Sequence, residues 1–342
     1  MIRKLLLLFL LLVLAAILAL QELERRWQQP LTLPEEGVVL LIAPGESLRA
    51  VVDDLHDQGI LCCPDLLVLY ARHKEIDQKI KHGEYLLKPL LTPPGLLELL
   101  QSGRVIQYQL TLPEGITLQQ AQKIIADHPV LEPILEDMND PRVVDLIAPY
   151  THAEGLFFPD TYHFPRGTSD LQLLQRAHAK MVAVLADEWQ GRAPGLPYKT
   201  AYEALIMASI IERETGLPAE REQIAGVFVR RLQRGMRLQT DPTVIYGMGS
   251  DFDGNLRRVH LDDDSNTYNT YRHLGLPPTP IALPGRESIH AALHPADGED
   301  LYFVARGDGG HVFSATLTAH ESAVRKYQLQ RKQDYRSSPE KQ

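Results

Sequence analysis

Hydrophobic and polar positions change their period several times along the chain, and the first change is the largest. Met1-Ile2-Arg3-Lys4 is followed by an unbroken apolar run from Leu5 to Leu20. As a helix it measures about 24 Å at about 1.5 Å per residue, a little short of a bilayer core of about 30 Å. Arg3 and Lys4 ahead of the run put the N-terminus in the cytoplasm. No clean small-x-small cleavage site follows, and Gln21 to Arg26 continues as a helix-like polar stretch. Residues 1–25 therefore read as a cytoplasmic N-terminus and a retained single-pass anchor, with a cleaved signal peptide as the rival. Either way, everything after residue 25 leaves the cytoplasm. Residues 26–35 read as a stalk.

From 36 to 105 the pattern is that of a small α+β module. Val38 to Ile42 is a strand candidate. Pro44-Gly45-Glu46-Ser47 makes a turn and an N-cap, and Leu48, Val51, Val52 and Leu55 then recur at helical spacing up to Asp57. Gly59 stops that helix. A second helix is expected over Asp65 to His73, a returning strand over Gly83 to Leu87, and a further short helix from Pro94 that Gly103 ends. Strand–helix–helix–strand outside the cytoplasm resembles a LysM-type glycan-binding unit, an order that suits many other small domains too. The segment Leu40 to Leu48 is echoed by Leu110 to Leu118, each reading strand, tight turn, hydroxyl N-cap, helix. Repetition and convergence on a common turn explain the echo equally well.

Residues 106–330 form the larger, mixed α/β part. Glu154-Gly155-Leu156-Phe157-Phe158-Pro159-Asp160-Thr161-Tyr162 sets aromatic rings beside acids, as in a sugar platform or an aromatic corner of a core. Leu171 to Trp189 reads as a long helix. Thr200-Ala201-Tyr202-Glu203 has capping-box spacing ahead of an apolar run. Residues 331–342 read as a flexible tail.

Composition narrows the partners. The 342 residues are 44% apolar and carry a net charge of −9. That content supports a sizeable core, and the charge disfavours a phosphate-neutralising nucleic-acid binder. A glycan is compatible with such a surface. The two cysteines, Cys62 and Cys63, are adjacent. A bond between neighbours is strained, and they read as small buried hydrophobes. No Cys/His metal spacing is visible, so neither metal nor cofactor is expected.

The densest chemistry lies where the run after Thr200 stops. Leu205, Ile206, Met207, Ala208, Ile210 and Ile211 are apolar on nearly every face, the mark of a buried helix, and Gly216 and Pro218 end it. Its last turn carries Glu212, Arg213 and Glu214. At about 100° per residue, Glu214 continues the stripe of Met207 and Ile210, and Glu212 lies about 200° away. The two carboxylates face different sides, so one is left for chemistry and the other for structure, paired with an arginine. Lost hydration and the helix C-terminus both push a carboxyl's pKa up, toward that of a general acid at neutral pH.

Residues 204–215, Val227-Phe228 and Gly235-Met236-Arg237-Leu238-Gln239-Thr240-Asp241-Pro242-Thr243-Val244-Ile245-Tyr246-Gly247 resemble the endolytic murein transglycosylase (YceG-like) family. So do Tyr268-Asn269-Thr270-Tyr271, Gly275-Leu276-Pro277-Pro278, Pro280-Ile281-Ala282, Pro284-Gly285, His294-Pro295 and Gly309-Gly310-His311-Val312-Phe313. The resemblance implies cleavage of the β-1,4 bond between N-acetylmuramic acid and N-acetylglucosamine in nascent peptidoglycan strands. It implies a 1,6-anhydro-muramyl end, an inner-membrane location with a periplasmic catalytic domain, and peptidoglycan synthases as partners. The family's catalytic acid falls on Glu214. Gln239, Thr240, Asp241, Tyr268, Asn269 and Tyr271 are then candidates for the sugar-binding cleft or for its turns. Glu212, His294 and His311 are given structural roles. A non-catalytic peptidoglycan-binding scaffold and a lysozyme-like hydrolase giving reducing ends are the competing readings.

Overall fold

The computed structural model of the chain describes residues 2–329, without the side chains of residues 2–8, 16, 19, 20, 26 and 329. The tail expected over 331–342 lies outside the described residues. The architecture is mixed α+β and falls into two compact units. The first runs to Tyr108 and includes residues 163–167, and the second holds 109–162 and everything from Thr168 onward.

In the first unit, helix α1 spans Ile2–Trp27. Among the described residues, no helix is long and apolar enough to cross a membrane. Much of the apolar run expected to do so falls on side chains outside those described. Its described members, Phe9 to Leu12, Leu14 and Leu18 among them, are exposed. Trp27, at the helix end, packs its ring 4.7 Å from that of Tyr70.

The rest of the unit follows β1 (Val38–Ile42), α2 (Leu48–Asp57), α3 (Pro64–His73), β2 (Gly83–Leu87) and α4 (Pro93–Ser102). Strands β1 and β2 pair antiparallel, with Leu40 opposite Tyr85. Alternation along β1 sends Leu40 and Ile42 inward, while Val39 and Leu41 remain 55% and 57% exposed. The inward face packs with Val52, Leu55, Leu67, Leu97 and Leu100 of the three helices in one core. Each helix starts where a side chain or a proline caters for its free N–H groups. Ser47 and Thr92 accept from Ala50 N and Gly95 N, and Pro64 opens α3. Glu84, buried on β2, takes the Tyr108 hydroxyl and the Arg166 guanidinium, both at 2.6 Å, which ties residues 163–167 to this unit. Cys62 is exposed and Cys63 half-buried, contrary to the expectation of two buried hydrophobes. They lie immediately ahead of α3, with Cys63 as its N-cap.

The second unit contains α5 (Leu118–Ala126), α6 (Pro141–Ile147), α7 (Asp170–Gln190), α8 (Ala201–Glu214), α9 (Arg221–Gln233), α10 (Asp241–Met248), the single turn α11 (Arg258–Leu261), α12 (Arg286–Leu293) and α13 (Leu317–Val324). Two strands of this unit, β3 (Tyr302–Ala305) and β4 (His311–Ser314), form an antiparallel two-stranded sheet. Helix α8 is the axis of the unit. Every residue from Ala204 to Ile211 is buried, and α7, α9, α10 and α12 pack around it. Each fully buried aliphatic side chain there contributes about 1.5–3 kcal/mol. Ser209, the polar member of the run, gives its hydroxyl proton to Ile206 O and accepts from Ile281 N at 2.9 Å. That bond fastens the loop at residues 281–283 to the helix.

Phe157, Phe158 and Tyr162 are buried, so this stretch is a corner of the core and not an exposed sugar platform. The echoed segment repeats in structure what it repeats in sequence. Thr117 caps α5 as Ser47 caps α2. The glycines of the two turns, Gly45 and Gly115, share a left-handed backbone with φ of 80° and 76°.

Candidate active site

The site is assembled at the C-terminal end of α8. Thr200 caps the other end by accepting from Glu203 N, while the Glu203 carboxylate accepts from Lys199 N at 2.5 Å. The reciprocal bond of the expected box thus lands one residue early. The helix runs apolar to Ile211 and then delivers Glu212, Arg213 and Glu214 to a groove lined also by Glu114, Gly115, Arg221 and His311, with a cavity volume of about 320 Å³.

Glu214 is half-buried. Its Oε1 accepts a hydrogen bond from the Thr240 hydroxyl. Thr240 is 2% exposed and held from three sides. Its N–H donates to Thr270 Oγ1 at 3.0 Å, its carbonyl accepts from the Thr243 hydroxyl at 2.7 Å, and Gln239 ahead of it donates its N–H to Thr270 O. Gln239 has a left-handed backbone with φ of 52°, a conformation that costs a non-glycine residue free energy and turns the chain abruptly into α10. Asp241 opens α10 and accepts from the Tyr271 hydroxyl at 2.7 Å.

Burial is the main influence on the Glu214 carboxyl and raises its pKa. Asp241 raises it further, while the Thr240 hydroxyl and the positive charge of Arg231 pull it down, leaving it at about 7. Arg231 is itself buried and spends its donors on the carbonyls of Leu301 and Leu238 at 2.6 and 2.8 Å. It acts on Glu214 as a fixed charge from behind.

Glu212 has a different environment. Its side chain is 6% exposed and lies 3.5 Å from Arg221 Nη2. Its Oε2 accepts the N–H of Gly285, the N-cap of α12, at 3.0 Å. Glu114, in the turn before α5, lies 3.9 Å from the same arginine, and burial and the charge of Glu212 push its pKa up. Arg213 reaches back to the carbonyl of Gly115 at 2.9 Å. The helical wheel separates Glu212 from Glu214, and their partners are indeed distinct. Both still border one groove, because α8 stops there and its last turn is open to it.

The other sequence candidates divide. Tyr271 stands by Asp241. Tyr268 bonds Thr279 at 2.8 Å and meets the Tyr246 ring edge-on at 4.9 Å. Asn269 is fully buried, and its amide is spent inside the fold. Its Nδ2 reaches the carbonyls of His260, Leu261 and Asp263, and its Oδ1 takes Tyr271 N. It shapes the loop that presents Tyr271 and has nothing left for a ligand. His311 is a half-buried partner of Glu220, at 2.7 Å through Nδ1.

A second carboxyl is also pushed up to about 7 by burial, that of Glu154. Its two oxygens accept from Leu118 N at 2.9 and 3.0 Å and from the Tyr246 hydroxyl at 3.0 Å. It caps α5 and does not line the groove. Glu114, Arg221 and Arg231 were not singled out by sequence reasoning as parts of a site, and Glu154 was singled out only within the aromatic and acidic stretch 154–162. The Pro113-Glu114-Gly115 turn, echoing Pro44-Gly45-Glu46, was the one local signal for Glu114.

The raised value of Glu214 has a consequence for stability. A carboxyl at about 7 in the folded chain and near 4.5 when exposed favours the fold in its protonated form. That advantage is complete below 4.5 and is lost as pH rises through 7, at about 1.4 kcal/mol per unit. Glu214→Gln removes the charge without the volume. Thermal unfolding should therefore show the variant matching wild type near pH 4.5 and exceeding it by about 3 kcal/mol at pH 8. Equal stability at pH 8 would mean the carboxyl is not desolvated.

Comparison with known proteins places the chain. The model of the YceG-like family matches residues 40–326. The endolytic murein transglycosylase of Bacillus subtilis is 31% identical over 304 residues, 84% of this chain and 83% of that one. The enzyme of the same name from Streptococcus pneumoniae strain D39 is 27% identical over 312 residues, and only 56% of its length is matched. The crystal structure of a YceG-like protein from Listeria monocytogenes superposes with a TM-score of 0.55 at 30% identity, covering 84% of this chain and 99% of that one. The acid at the end of the buried helix, the threonine-rich turn that holds it and the glutamate clamp beside it thus stand in a chain that belongs to the YceG-like family.

Proposed function

We propose that the protein is an endolytic peptidoglycan lytic transglycosylase whose one catalytic residue is Glu214. The observation that carries this is that, of the two carboxyls raised to about 7, Glu214 is the one that lines the open groove, with Thr240 and Tyr271–Asp241 beside it and its neighbour Glu212 already engaged by Gly285 and Arg221.

Most glycosidases divide the work between two carboxylates. A transglycosylase needs one. Protonated Glu214 gives its proton to the glycosidic oxygen as the bond from C1 of the muramyl residue breaks. The resulting carboxylate takes the proton of the same residue's C6 hydroxyl while that oxygen bonds to C1. The products are a free hydroxyl on one strand and a 1,6-anhydro ring on the other, and Glu214 ends protonated as it began. Intramolecular attack has a high effective molarity, so no activated water is required. Burial and Asp241 keep the acid protonated before the first step, and the Thr240 hydroxyl stabilises the carboxylate between the two steps.

The exposed apolar stretch of α1 supports a location at the inner membrane, with the N-terminus cytoplasmic and residues after 25 periplasmic. Retention in the membrane fraction after an alkaline wash, lost on deleting residues 1–25, is the expected result. The βααβ order of residues 38–87 supports a LysM-like glycan-binding role for the first unit. Peptidoglycan synthases are proposed as partners, on the ground that nascent strands are the substrate. A non-catalytic scaffold would share these features. Isolated sacculi incubated with the detergent-purified chain distinguish the two readings: soluble muropeptides are expected, and sedimentation with sacculi without release would contradict the enzymatic reading.

A further inference from the structure

Away from the groove, the ends of α7 and α12 bring together three side chains that neither the fold's core nor the proposed reaction uses. Glu188, near the end of α7, is buried. Its Oε1 accepts from Arg286 at 2.7 Å and its Oε2 lies 2.8 Å from His290 Nδ1. His290 and His294, four apart at the end of α12, have stacked rings with centroids 4.1 Å apart and planes inclined by 19°. One donor atom from each of the three residues lies within 4.8 Å of the other two.

The two nitrogens of His294 both face carbonyl oxygens, Gly191 O at 2.9 Å and His290 O at 3.2 Å. A neutral imidazole can donate to only one of them, so its other nitrogen presents a lone pair with no donor. Two imidazoles at i and i+4 with a carboxylate from a second helix form a zinc-type donor set, leaving a fourth position to solvent.

We propose that Glu188, His290 and His294 form a binding site for a late first-row divalent cation, with zinc as the preferred occupant. The cation replaces the proton shared between His290 Nδ1 and Glu188 Oε2. Two ligands at about 2.0–2.1 Å in tetrahedral geometry are about 3.3 Å apart, so their present 2.8 Å separation must open by roughly half an ångström. Rotation about the Glu188 side chain supplies that movement. Arg286 keeps Oε1 oriented, the role an outer partner plays in metal sites. Its positive charge also holds the affinity below that of a closed four-ligand site. The metal would clamp α7 to α12, whose opposite end is held by Glu212 through Gly285, so occupancy would stiffen the support of the catalytic groove without entering it.

The alternative is that the three groups serve only as an ion-pair cluster, in line with the sequence expectation of no metal. Untagged full-length protein, stripped with a chelator and titrated with zinc chloride by calorimetry, separates the two. One zinc per chain is expected at micromolar affinity, with a rise in Tm. His290→Gln and His294→Gln should each weaken that binding by at least about tenfold and abolish the rise in Tm, and Glu188→Gln should weaken it too. Wild type and variants binding alike, or wild type binding no zinc, would overturn the proposal. If a variant loses its circular dichroism, the spectrum of cobalt-loaded wild type decides. Intense visible bands of a tetrahedral site support the proposal, and the weak bands of octahedral cobalt reject it.

Discussion

Glu214→Gln is expected to reduce the release of soluble glycan fragments at least about a thousandfold while leaving the fold intact. A positioned proton donor or acceptor contributes about 10²–10⁴-fold to a transfer, and this carboxyl is asked to serve in both directions. Gln has the same size and keeps an oxygen for the Thr240 hydroxyl, so the loss reports proton transfer and not packing. Binding to sacculi should survive. The pH dependence follows from the same carboxyl: with a value of about 7, the rate should fall as pH rises through neutrality and the donor empties. Asp241→Asn removes a charge that raises the value, so this limb should move to lower pH. Retained turnover in Glu214→Gln would remove the acid from the mechanism.

Glu212→Ala is expected to destabilise the second unit by about 3 kcal/mol, the cost typical of removing one partner of a buried ion pair. The substitution strips the N–H of Gly285 of its acceptor and leaves Arg221, among the described residues, with Glu114 at 3.9 Å as its remaining carboxylate neighbour within ion-pair reach. Among the described residues the Arg221 Nε has no hydrogen-bond partner even in the wild type, so the loss of Glu212 leaves a poorly compensated cation beside the groove. Glu212→Gln can still accept from Gly285 but cannot balance the charge, and an intermediate loss is expected. Denaturant unfolding measures both. Activity, where the protein is folded, should keep its pH profile, because neither substitution touches the proton that Glu214 carries. Loss of all turnover in a fully folded Glu212→Gln would reverse the roles assigned to the two glutamates.

The local parts of this structure were legible in the sequence and the assembled parts were not. Strands β1 and β2 and helix α2 lie where their spacing and turn residues put them, because alternation, a capping serine and a stopping glycine are properties of neighbouring residues. The buried axis α8 was legible for the same reason, as was the isolation of Glu214 at its end. Sequence reasoning failed where the partner is remote. Asn269 reads as a polar group free for a ligand, and only the fold shows its amide consumed by three carbonyls of α11 and the loop after it. Phe157 and Phe158 read equally as platform or core until the elements around them close. Glu188 and His290, 102 positions apart, share no local signal at all. The Arg221–Glu212–Glu114 cluster likewise depends on three separate segments meeting, and the residues themselves are ordinary surface types.

The chemistry ascribed to Glu214 is tested most directly by mass spectrometry of the muropeptides that wild type and Glu214→Gln release from the same sacculi. Fragments from wild type ending in 1,6-anhydro-muramyl residues, with none from the variant, are the predicted result. Fragments from wild type one water heavier, with reducing muramyl ends, would contradict intramolecular attack and point to a hydrolase.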